Sequence, residues 1–113
     1  MENVCLNFIN EEPLSILPSL AKTIGLNEAI IVQQIYNHFK TTKTLKIINE
    51  ELFICSRYED WMRQFPFWSK STIKRTIKNL KQNGIIVVEQ LKRNNFYRID
   101  YKILDKILEK GSI

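Results

Sequence analysis

Apolar residues recur along this chain at two spacings, one of three to four residues and one of two, which mark helices and half-buried strands respectively. Leu17, Leu20, Ala21 and Ile24 form the first helical set. Pro18 suits the first helical position and Gly25 the position just past the end. A second helix is predicted from Asn27, a good N-cap, to about Lys40, with Leu26 stapled to Ile31. Its apolar residues Ala29, Ile30, Ile31, Val32, Ile35, Tyr36 and Phe39 cover most of its circumference, so it belongs at the centre of the core.

Residues 44–55 read as a hairpin, with strand formers Leu45–Ile48 and Leu52–Cys55 flanking Asn49-Glu50-Glu51. Ser56 and Glu59 have the spacing of a capping box. Tyr58, Trp61, Met62 and Phe65 then line one helical face, and Pro66 ends that helix. Only Pro66-Phe67-Trp68 precedes the next N-cap, Ser69, with Trp68 placed to staple onto Ile73. Ile73, Ile77 and Leu80 form the inner stripe of this helix and Gly84 stops it. A strand from Ile85 to Gln90, a polar turn Lys92-Arg93-Asn94-Asn95 and a strand from Phe96 to Tyr101 follow, with Tyr97, Ile99 and Tyr101 alternating against Arg98 and Asp100. A last amphipathic helix, Lys102 to Lys110, carries Ile103, Leu104, Ile107 and Leu108.

The order helix, short turn, helix, strand, basic turn, strand predicts a mainly α fold with a small β-sheet, a winged helix-turn-helix. At 113 residues there is room for one domain. Its parts are an N-terminal arm (1–13), the helix-turn-helix (57–83), the wing hairpin (85–101) and a C-terminal helix (102–110).

Charge sharpens this picture. Residues 68–98 hold eight Lys or Arg against the single acid Glu89, whereas residues 1–67 hold six basic against eight acidic residues. A net +7 segment beside a net −2 segment is the footprint expected for nucleic acid, and a solvated Lys-rich face is the plain alternative. On the helix from Lys70 to Asn83, Ser71, Arg75, Lys78 and Gln82 lie opposite the apolar stripe, with Lys74 and Asn79 flanking them. Arg75 has the planar fork that pairs with guanine, and Asn79 has the two-point chemistry that reads adenine. Ser71 and Thr72 near the helix start suit phosphates or base edges, while Lys70, Lys74 and Lys78 suit phosphates. Lys92 and Arg93 at the wing tip are candidates for the backbone or minor groove, and Arg98 for an extension of the basic surface. The aromatics Trp61, Phe65, Phe67 and Trp68 read as core packing at the helix junction rather than a stacking platform.

Leu17-Pro18-Ser19-Leu20-Ala21, Gly25-Leu26-Asn27-Glu28-Ala29, Gln64-Phe65-Pro66-Phe67-Trp68-Ser69 and Ser71-Thr72-Ile73-Lys74-Arg75-Thr76-Ile77 together carry a resemblance spanning about residues 14–101. In these stretches the chain resembles the N-terminal winged-helix domains of DnaD-like replisome organisers and replication initiators of Gram-positive phages, plasmids and mobile elements. The resemblance implies binding to an origin or template, and self-association. Those proteins usually continue into a second domain, whereas this sequence stops after one short helix.

The expectation is therefore a sequence-specific, double-stranded DNA-binding protein acting in replication initiation. A transcription regulator or autorepressor, and a winged helix serving as a protein-interaction or inhibitor module, remain open beside it. No catalytic role is expected, because the sequence has no phosphate-binding loop, no metal-ligand spacing and no convincing catalytic acid pair. No cofactor, metal or small-molecule substrate is expected either. Cys5 and Cys55 read as reduced, partly buried thiols, and His38 as a boundary residue of its helix. The chain carries no apolar run of membrane-spanning length and its start has no signal pattern, so a cytoplasmic location is expected. Apolar residues at both ends (Val4, Leu6 and Phe8; Ile103, Leu104, Ile107 and Leu108) raise the expectation of a homodimer.

Overall fold

The structure, a computed structural model, describes residues 14, 16–41, 45–92 and 94–111. Among them five helices and four strands follow in the order α1 (Pro18–Ile24), α2 (Leu26–Thr41), β1 (Leu45–Ile48), β2 (Glu51–Ser56), α3 (Tyr58–Gln64), α4 (Lys70–Gln82), β3 (Ile86–Leu91), β4 (Asn94–Ile99) and α5 (Tyr101–Gly111). The strands make one antiparallel sheet in the order β1-β2-β4-β3. The element order matches the one the apolar rhythm predicts. The sheet is larger than a wing alone, because β2 pairs with β4 and joins the first hairpin to the second.

One face of the sheet and all five helices share the core. Ile54, Ile86, Tyr97 and Ile99 from the strands meet Ala29, Ile31, Val32 and Ile35 of α2, Trp61 of α3 and Ile73, Ile77 and Leu80 of α4. Helix α2 is central, as its near-continuous apolar surface requires, although Tyr36 stays exposed. Phe53 and Phe96 are buried on the other face of the sheet. There the Arg98 guanidinium lies 5.7 Å over the Phe53 ring and the Lys46 ammonium 5.8 Å over Phe96. Arg98 is thus half-buried on an aromatic ring and does not extend the basic surface; apolar stacking of its planar cation outweighs full hydration.

Local signals set most boundaries, and tertiary pairing moves the rest. Pro18 opens α1 as expected. Helix α2 starts at Leu26, one residue before the predicted cap Asn27, and Leu26 is exposed. The two-residue turn Asn49-Glu50 joins β1 to β2 with both φ positive, the geometry that matches strand twist. Ser56 does not cap α3: it ends β2, paired with Asn95, and its hydroxyl is buried. Arg57 takes the cap position instead, and its N–H donates to Asp60 Oδ2 at 3.0 Å. Asp60 also pairs with Arg63. Helix α3 ends at Gln64, with Met62 exposed rather than on the inner face. Pairing of β3 with β4 runs to Leu91 opposite Asn94, so only two residues separate the strands and Asn94-Asn95 belong to β4, not to the turn. Asp100 accepts from Ile103 N–H at 3.2 Å and caps α5, which places Tyr101 in the helix and leaves it exposed.

Leu104 of α5 is buried, and Ile107 and Leu108 pack against the core. The C-terminal apolar face, half of the motive for a homodimer, is therefore taken up within the chain. Val4, Leu6, Phe8 and Cys5 lie outside the described residues. Cys55 is exposed, not partly buried. His38 is half-buried, edge-on to Trp61, with Nε2 3.4 Å from Gln64 Oε1. No helix among the described residues is long and apolar enough to cross a membrane.

Gly25 is the tightest joint. It has φ +108°, donates to the Ala21 carbonyl and accepts from Ala29 N–H, both at 2.9 Å. A Cβ there would meet the Glu28 carboxylate. Gly25→Ala should cost roughly 1–3 kcal/mol of stability through backbone strain. Denaturant unfolding of the variant and parent measures this, and equal midpoints would show that the joint is not strained.

Candidate nucleic-acid interface

The site is built around α4. Ser69 caps it, accepting from Thr72 N–H at 3.2 Å. The turn Phe65–Ser69 leads into it, with Trp68 half-buried against Phe65 at 4.9 Å between ring centroids. Ile73, Thr76, Ile77 and Leu80 are buried on its inner side. The polar Thr76 is accommodated there because its hydroxyl donates to the Thr72 carbonyl at 2.8 Å. Gly84, at φ +76°, ends the helix by donating to the Lys81 carbonyl at 3.0 Å.

Of the residues predicted to meet DNA, Lys70, Ser71, Lys74, Arg75 and Lys78 are all exposed on α4. Lys92 is exposed at the β3–β4 tip with φ +57°, and Arg93 lies outside the described residues. Thr72 is half-buried, its hydroxyl 3.1 Å from Ser69 Oγ, so it serves the cap more than the outer face. Asn79 departs from expectation. It is half-buried on the α2 side, and its side-chain nitrogen donates to Glu28 Oε2 at 3.1 Å. A charged acceptor holds that amide, which removes it from two-point reading of a base.

Sequence reasoning missed the flank of α4 that faces the second hairpin. Lys70 and Lys74 both reach the Tyr58 ring, their ammonium nitrogens 5.6 and 5.3 Å from its centroid. Tyr58 is thus a post between two cations rather than only a core residue. Beyond it a groove of about 320 Å³ runs between α4 and β3–β4, lined by Lys74, Lys78 and Lys81 on the helix and by Gln90 and Asn95 on the strands. The signal for Lys81 was present as the 70, 74, 78, 81 spacing, which puts four lysines on one flank. Gln90 and Asn95 are opposite one another only through the strand register, which the sequence did not disclose. Tyr97 also borders the groove. Burial raises its phenol above the ordinary value, with Trp61 and Asn95 acting in the other direction.

Helix α4 therefore carries five basic residues and no acid. Among the described residues no three His, Cys, Asp or Glu side chains gather as a metal site requires. No family model matches the chain, and no curated protein or solved structure is significantly similar to it.

Proposed function

We propose that this chain is a winged helix-turn-helix protein that binds double-stranded DNA, with α3 and α4 as the helix-turn-helix, α4 as the reading helix and β3–β4 as the wing. One observation carries the reading: the outward face of α4 presents Lys70, Lys74, Arg75 and Lys78, all exposed and unaccompanied by any acid on that helix. An α-helix fits the major groove, and such a face supplies both phosphate neutralisation and an Arg fork for base edges. Ser71 stands on the same face near the helix start. Replication initiation of a phage, plasmid or other mobile element is the narrower form of the proposal, and its support is the resemblance over residues 14–101.

Titration of the purified chain against a mixed-sequence duplex at several salt concentrations tests the reading. Log affinity should fall linearly with log salt, with a slope of about −0.9 for each phosphate contacted. Selection from a random duplex pool should then return a preferred site. Binding that is absent, or indifferent to salt, would remove DNA as the partner. A preferred site over a promoter rather than an origin would favour a regulator.

A further inference from the structure

The groove between α4 and the second hairpin flanks the outward face of α4, sharing Lys74 and Lys78 with it and adding Lys81, Gln90 and Asn95. Its helical wall holds Lys74, Lys78 and Lys81, its strand wall holds Gln90 and Asn95, and no carboxylate lines it among the described residues. Three ammonium groups along one wall repel one another, and an anion between the walls offsets that repulsion. The amides of Gln90 and Asn95 supply uncharged donors from the other side. Tyr58 also lines the groove, and Lys70 and Lys74 lie over its ring, adding the charge of Lys70 to the site. Tyr97 borders the same groove.

We propose that this groove is a phosphate seat that takes a phosphodiester of one DNA strand between Lys81 on the helix and Gln90 and Asn95 on the wing. The proposal rests on the duplex-binding reading and adds three contacts to it. Held between helix and wing, the strand fixes how deeply α4 enters the major groove, since phosphate contacts set register while base contacts set sequence.

The test is a set of salt titrations on a mixed-sequence duplex. Lys81→Gln should retain binding but lower the salt slope by about one unit, the signature of one lost phosphate contact. Gln90→Ala and Asn95→Ala should each weaken binding roughly two- to tenfold, as loss of one hydrogen bond does, with the slope unchanged. Lys106→Gln, an exposed lysine on α5, should match the parent in both affinity and slope. If Lys78→Gln lowers the slope and Lys81→Gln does not, the seat is refuted while duplex binding by α4 stands. A parent chain with no salt-dependent binding refutes both. Saturable binding of inorganic phosphate alone, lost in Lys81→Gln, would assign the groove to the free ion and overturn the strand assignment.

Discussion

Trp61→Ala should produce the largest loss of stability of any single truncation in α3 or the turn after it. Trp61 is fully buried, stacked on Phe65 at 5.8 Å and edge-on to Tyr97 at 5.5 Å. It therefore ties α3 to β4, and through His38 to α2. Removing a buried indole costs about 3–5 kcal/mol in lost transfer energy and cavity formation. That is a large share of the roughly 5–15 kcal/mol that holds a domain of this kind folded. Thermal unfolding should show a fall in midpoint of roughly 10–20 °C. Trp61→Phe should recover part of it by refilling the cavity. Trp68, the residue that the staple pattern marks for this role, is half-buried and packs on Phe65 and Phe67. Its truncation should cost less, because part of that ring already faces water. Equal unfolding midpoints for Trp61→Ala and the parent would mean that the aromatic junction does not hold α3 in place.

Features decided within one turn of chain were legible in the sequence, and features decided by a distant partner were not. The Ser69 cap, the inner stripe of α4 and its Gly84 stop depend on neighbours a few residues away, and they stand where periodicity puts them. Ser56 has the same local credentials as Ser69, yet it pairs in the sheet opposite Asn95, so the start of α3 shifts to Arg57. Strand β4 ends at Ile99, two residues before the predicted Tyr101, because the Asp100 carboxylate caps α5 and this outweighs continued alternation. The site divides in the same way. The outward face of α4 follows from 100° per residue. The engagement of Asn79 with Glu28, 51 residues away in sequence, does not. Nor does the groove, whose two walls are set by the packing of α4 beside β3 and β4 and by the Gln90–Asn95 register.

Arg75→Ala and Lys78→Ala should separate base reading from phosphate attraction. Both side chains are exposed, about one turn apart on α4, and neither forms an ion pair among the described residues. Their chemistry differs. The guanidinium of Arg75 can donate two parallel hydrogen bonds to guanine O6 and N7, whereas the Lys78 ammonium is a compact charge suited to a phosphate. Arg75→Ala should therefore cost about 1–3 kcal/mol on the preferred duplex and much less on a scrambled one, relaxing preference at one base pair. Lys78→Ala should weaken every duplex alike and lower the salt slope by about one unit. Neither should move the unfolding midpoint, since Ile73, Ile77 and Leu80 on the opposite side hold the helix in place. Paired titrations of preferred and scrambled duplexes at several salt concentrations measure both effects. If both variants bind every duplex as the parent does, α4 is not the reading helix. Its five cations would then be explained better by an acidic protein partner, the interaction-module alternative that the sequence left open.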